Sequence, residues 1–184
     1  MMRQWLKTIA RETGGAEIAE AAVVLPLVFM LLLGIYWFGR VYNIYSTATQ
    51  AAQSGATVAG KPYCAICAGA SWPGTSFPDD ATVINTVQNS LRASKLDPTQ
   101  VTAYTLSPAP TACVGANPAG VCNTDPTSNI TVCRSVQLNP GGAGPQECGT
   151  IVSFHYPYQF YFPFTSLNFQ LVNLPAAAEN SMEY

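Results

Sequence analysis

From Ala21 to Gly39 the chain reads AAVVLPLVFMLLLGIYWFG, nineteen residues without one Asp, Glu, Lys or Arg. As an α-helix this run spans roughly 28 Å, close to the hydrocarbon thickness of a bilayer. The apolar core of an ordinary secretory signal is shorter, and a core helix of a soluble domain keeps a polar face. Pro26 is compatible with a membrane helix, where neighbouring groups satisfy the carbonyl it frees. The run accounts for much of the composition: 48% of the 184 residues are hydrophobic and 10% are charged, against roughly 25% charged in an average soluble domain. A net charge of −2 gives no basic surface for phosphates, so nucleic acid is not an expected partner.

The flanks set the orientation. Arg3, Lys7 and Arg11 against Glu12 give the first fifteen residues a net +2, whereas four basic and seven acidic residues follow Arg40. The positive-inside rule puts the N-terminus in the cytoplasm and the remainder outside. Tyr36, Trp37, Tyr42 and Tyr45 cluster at the outer end, where amphipathic rings favour the headgroup region. Glu20 lies at the edge of the apolar run, where an acid is either hydrated at the interface beside Glu17 or held for function with a partner.

Gly15-Ala16-Glu17-Ile18-Ala19-Glu20 before an apolar helix resembles a type IV prepilin signal, in which a membrane peptidase cuts after Gly and the fifth mature residue is Glu. With Ala16 as first mature residue, Glu20 is the fifth. The longer stretch GGAEIAEAAVVLPLVFMLLLGIYWFGRVYN, with Leu25-Pro26-Leu27 and Phe38-Gly39-Arg40, is similar to TadE-like proteins, the minor pilins of tight-adherence pili. The resemblance implies cleavage after Gly15, loss of the basic leader, and pairing of Glu20 with the amine of a neighbouring subunit, which offsets the desolvation of both charges. It further implies an inner-membrane protein whose partners are other pilin or TadE-like subunits, a prepilin peptidase and an assembly platform.

Beyond the membrane the helix is expected to continue to Gly60 and Pro62. Ala48, Ala51, Ala52, Gly55, Ala56 and Ala59 fall at i, i+3, i+4, i+7, i+8 and i+11, one stripe of small residues. Such a stripe allows close approach of another backbone, either a neighbouring helix in a filament or the protein's own sheet. A second helix is predicted over Asp79–Leu96, with Val83, Val87 and Leu91 as its apolar stripe and Asp97-Pro98 as its stop. Strands are predicted at Val101–Leu106 and Asn129–Val136. The strongest strand signal is Val152–Phe164, where Val152, Phe154, Tyr156, Tyr158, Phe160, Phe162 and Phe164 alternate with polar or proline positions. Pro157 and Pro163 make it an edge or bulged strand, and Leu167, Phe169 and Leu171 begin another after a turn. The aromatic face is expected to be core, the alternative being a carbohydrate-binding surface.

Six cysteines, Cys64, Cys67, Cys113, Cys122, Cys133 and Cys148, lie on the outer side. An even number in an exported segment implies three disulfides, with fifteen possible pairings. Pairing of neighbours, 64–67, 113–122 and 133–148, is the expectation. Cys64-Ala65-Ile66-Cys67 follows a helix instead of opening one, which does not suit a redox motif, and no second pair completes a zinc site. His155 is the sole histidine, and no GxSxG, Walker A, HExxH or EF-hand spacing accompanies it.

The expected architecture is α+β: a long N-terminal transmembrane helix, then a small disulfide-stapled antiparallel sheet domain with one further helix. Its parts are a cytoplasmic basic leader (1–15), a transmembrane and assembly helix (16–60) and an extracytoplasmic domain (61–184), periplasmic or extracellular. The expected function is that of a non-enzymatic minor pilin or pseudopilin, without cofactor or metal, that initiates, caps or decorates the fibre. A membrane-anchored envelope adhesin or interaction module that never enters a filament is the alternative, and a thiol oxidoreductase a more distant one.

Overall fold

The computed structural model describes residues 13–61, 77–114, 121–142, 144–159 and 171–181. Helix α1 runs over Thr13–Gly60 and contains Pro26. Helix α2 covers Asp80–Ala93, followed by a 3₁₀ turn at Pro98–Gln100. Four strands follow: β1 (Val121–Thr124), β2 (Thr131–Gln137), β3 (Cys148–Gln159) and β4 (Leu171–Ser181). They form one antiparallel sheet in the order β1-β2-β3-β4. This is the α+β class expected, with the long apolar helix, one further helix and disulfides. The chain divides into two compact units, and the second begins at Asn43, within α1.

Helix α2 starts where an acid can cap it. The Asp79 carboxylate accepts from Thr82 N–H at 3.1 Å and from the Thr82 hydroxyl, satisfying donors of the first turn. The helix ends three residues before its predicted limit, because Lys95 enters the left-handed region (φ 62°). Leu96 N–H then bonds Leu91 C=O and Lys95 N–H bonds Arg92 C=O, both at 2.9 Å. This is a Schellman closure with Lys where Gly is usual, and Leu96 packs back onto the core.

One sheet face and the two helices enclose the core. Val83, Val87 and Leu91 of α2 are fully buried, as are Val132, Val152 and Phe154 of the sheet, while Tyr156 is nearly so. The alternating aromatic face of β3 therefore serves as core over its described length, which removes the carbohydrate-binding reading from those positions. Phe160, Phe162, Phe164, Leu167 and Phe169 lie outside the described residues. The small-residue stripe joins the same cluster: Ala48, Ala51, Ala52, Ala56 and Ala59 are at most 1% exposed. Gly55 shows why the stripe is small. A Cβ there would sit 2.5 Å from Val87 Cγ2 and 3.5 Å from Val152 Cγ1.

Three expectations for the sheet are corrected. The predicted strand Val101–Leu106 is a single bridge, Thr102 to His155; beyond it the chain meets Ser107-Pro108-Ala109-Pro110, whose prolines supply no ladder donors. Strand β1 and most of β4 were not predicted as strands. In β4, Ala176 and Ala178 lie on the core face and are buried while Ala177 and Glu179 face out. Pairing with β3 over eleven residues overrides the weak β-propensity of an alanine run.

The disulfides also pair differently. Cys122 joins Cys133, and Cys113 joins Cys148, in place of 113–122 and 133–148. Antiparallel pairing of β1 and β2 sets Cys122 directly opposite Cys133, with their Cα atoms 3.9 Å apart. The Ala112–Val136 bridge carries Cys113 alongside β2 towards the start of β3, where Cys148 lies. Cys64 and Cys67 lie outside the described residues.

Candidate assembly surface

Most bulky side chains of α1 between Ile18 and Tyr45 are exposed; Trp37, Val41 and Ile44 are partly buried. Ile18, Leu27, Met30, Leu31, Ile35, Phe38 and Tyr42 are among sixteen large hydrophobic residues of this stretch that stand exposed on successive turns, Ile18 and Phe38 each by about three quarters. Every residue from Ile18 to Leu33 is exposed, the large hydrophobics by at least 42%. Water does not tolerate so large an apolar surface on a folded monomer, so the stretch requires an apolar surrounding of lipid or other helices. It is long and apolar enough to cross a membrane, the property of a membrane anchor.

Gly15 and Ala16 lie in the first turns of α1, and Glu20 is exposed one turn later. The apolar run follows Glu20 directly in sequence. Gly34 and Gly39 have open space where a Cβ would stand, which leaves this part of the helix approachable. By contrast, Ala48 to Ala59 are covered by the domain's own α2 and sheet, so of the two readings of the stripe, packing on its own domain is the observed one.

Further along α1 the surface changes character. Thr47, Thr49, Ser54 and Thr57 turn their hydroxyls back to carbonyls four residues earlier at 2.7–2.9 Å. Thr150 Oγ1, fully buried on β3, donates to Ala56 C=O at 3.4 Å. Arg134 of β2 gathers three partners: Asp80 Oδ1 through Nε at 2.8 Å, Pro78 C=O at 2.6 Å and Ala59 C=O at 3.4 Å. One guanidinium thus caps the C-terminal end of α1 and anchors the N-terminal end of α2, a use suited to its planar fork of donors. No sequence periodicity marks this tie, because its three segments are distant in the chain.

Three further acids of the domain make capping contacts. Asp79 is held below its usual pKa by the Thr82 hydroxyl and N–H, Asp97 by Thr99 N–H and hydroxyl, and Asp125 by the Ser128 hydroxyl and N–H. Each caps a turn or helix start. His155 places its ring 4.4 Å from that of Tyr104 and its Nδ1 3.2 Å from Ala103 C=O. Among the described residues no group of three or more His, Cys, Asp or Glu side chains could hold a metal ion. The Asn129-Ile130-Thr131 sequon is closed off, since Asn129 Nδ2 donates to Val101 C=O at 3.1 Å and the next two residues are buried.

Residues 15–57 match the family model of TadE-like proteins. The matched span contains Gly15, Ala16 and Glu20, the whole exposed apolar stretch and most of the small-residue stripe. Comparison with curated proteins and with solved structures returns no significant match.

Proposed function

We propose, from this TadE-like segment, that the chain is a minor pilin or pseudopilin of a tight-adherence pilus, anchored in the inner membrane before assembly. The observation that carries the reading is the division of labour along α1. The domain completes its core with Ile44 and residues from Ala48 onward, and most of the apolar surface between Ile18 and Tyr45 is left uncovered. A segment of this kind is soluble in lipid and equally in a bundle of like helices, which is what passage from membrane to fibre demands.

In this reading residues 1–15 are a cytoplasmic leader, residues 16–60 the membrane and assembly helix, and the disulfide-bonded domain faces the periplasm or the exterior. Cleavage after Gly15 leaves an ammonium on Ala16, and Glu20 pairs with the corresponding amine of a neighbouring TadE-like subunit. A prepilin peptidase and an assembly platform are the implied partners, and the role is structural. Contacts between subunits run through Ile18–Tyr45, since the alanine stripe is already occupied.

Glu20→Ala in producing cells tests the proposal. The expected result is loss of the chain from sheared surface fibres with an undiminished membrane pool. An unchanged fibre fraction, or absence of the wild-type chain from fibres, overturns it in favour of a plain envelope anchor. N-terminal sequencing of the membrane-purified chain checks the processing step: Ala16 is expected, and an intact Met1 or Met2 start refutes it.

A further inference from the structure

The sheet face turned away from the helices carries a second feature. The segment after the Thr102 bridge crosses this face and leaves a cavity of about 360 Å³ between itself and strands β1 and β2. Its walls include Tyr104, Leu106 and Pro110, and its floor includes Thr124, Thr131 and the Cys122–Cys133 disulfide. The volume lies within the range of small-molecule sites.

We propose that this cavity binds a neutral saccharide unit. Two observations on this face select that class. First, among the described residues no Asp, Glu, Lys or Arg lines the cavity, so a charged ligand would lose its hydration without gaining a counter-charge. Second, the floor is hydroxylic. Thr124 Oγ1 and Thr131 Oγ1 lie 2.8 Å apart, and because one hydroxyl donates to the other, one hydroxyl hydrogen and further lone pairs remain for a ligand. Vicinal hydroxyls of a sugar match these two threonine hydroxyls, and its C–H face matches the Tyr104 ring, which lies 4.4 Å from that of His155. This site lies on the opposite face of the sheet from the aromatic row of β3.

The test uses the full-length chain in phospholipid nanodiscs, free of glycoside detergents, observed by saturation-transfer NMR with the methyl glycosides of glucose, galactose and mannose. At least one should bind saturably below about 50 mM. Glucuronate should bind about tenfold more weakly than methyl glucoside, for want of a cation in the cavity. Thr124→Val and Tyr104→Ala should each weaken binding about tenfold while near-ultraviolet circular dichroism stays native. Thr131→Val serves as a second floor variant if either of these fails to fold. A parallel arm with dextran assigns the source: tighter binding than methyl glucoside points to a surface polysaccharide, equal binding to a free sugar. Absence of saturable binding by every glycoside, preference for glucuronate, or indifference to the folded variants overturns the proposal.

Discussion

Helix α1 presents two surfaces whose contrast explains most of the molecule. Between Ile18 and Tyr45 it carries Leu, Val, Ile, Phe, Met and Tyr around its circumference, sixteen of them exposed, with Val41 and Ile44 partly buried. Between Ala48 and Gly60 it carries Ala and Gly on one side, buried, and Thr, Ser and Gln on the other. Large side chains are retained where the surroundings are fluid and can adapt. Small ones are required where a sheet and a second helix have fixed the space. Apolar character alone does not distinguish a surface that is finished from one that awaits a partner; side-chain size and angular spread do.

The largest effect that tests this contrast comes from two phenylalanines. Phe154→Ala should lower the stability of the domain by about 3–5 kcal/mol, the cost of a fully buried aromatic and the cavity it leaves. Phe29→Ala, in the bare stretch, should leave the thermal transition of the domain unchanged. A common effect in both variants, measured by near-ultraviolet circular dichroism of the full chain in micelles, would break the distinction.

Next in size are the crosslinks, which belong only to the domain. Cys122→Ser/Cys133→Ser should cost about 2–4 kcal/mol, with the helicity of the bare stretch retained. Peptide mapping without reduction should return 122–133 and 113–148 linked peptides; a 113–122 peptide would contradict the register of β1 on β2.

Glycines sharpen the comparison at smaller scale. Gly55→Ala places a methyl group against the stiff, branched Val87, and should cost about 1–3 kcal/mol by overpacking. Gly34→Ala meets nothing within 4 Å and should be neutral, or favour the helix by up to about 1 kcal/mol. Equal melting shifts for the pair would show that helix propensity, and not packing, governs both regions.

The smallest effect is acid sensitivity. Asp79, Asp97 and Asp125 have pKa values depressed by their capping bonds. Their contribution is therefore present above the ordinary carboxylate pKa of 3.8 and is lost as pH falls through the lower folded-state values. Acidification should loosen the domain while the bare helix, which holds none of these caps, keeps its far-ultraviolet signal. The triple Asp→Asn variant at 79, 97 and 125 retains capping oxygens, so its acid transition should move to lower pH. An unmoved transition would remove the caps from the account.

How much of this was legible follows the range of each signal. The apolar run, the acidic start of α2, the alternation of β3 and the presence of disulfides are properties of contiguous residues, and each was readable as such. The end of α2 was misjudged because Lys95 takes a conformation normally marked by Gly. The extent of strand β4 was misjudged because AAAENS has no strand signature of its own. Cys113 and Cys122 are near neighbours in sequence, yet the sheet register gives each a different partner. The Arg134 tie and the hydroxyl-floored cavity had no local mark at all.

The sequence by itself determined that one segment must leave water for an apolar surrounding, since nineteen uncharged residues admit no other stable helix surface. It also determined the location of Glu20 at the boundary of that segment. Only the tertiary structure decided that the adjacent alanine stripe is used internally, which cysteines are joined, and which sheet face is left to form a cavity. Those outcomes depend on strand register and on the space between elements far apart in the chain, and neither quantity is encoded within any single window of residues.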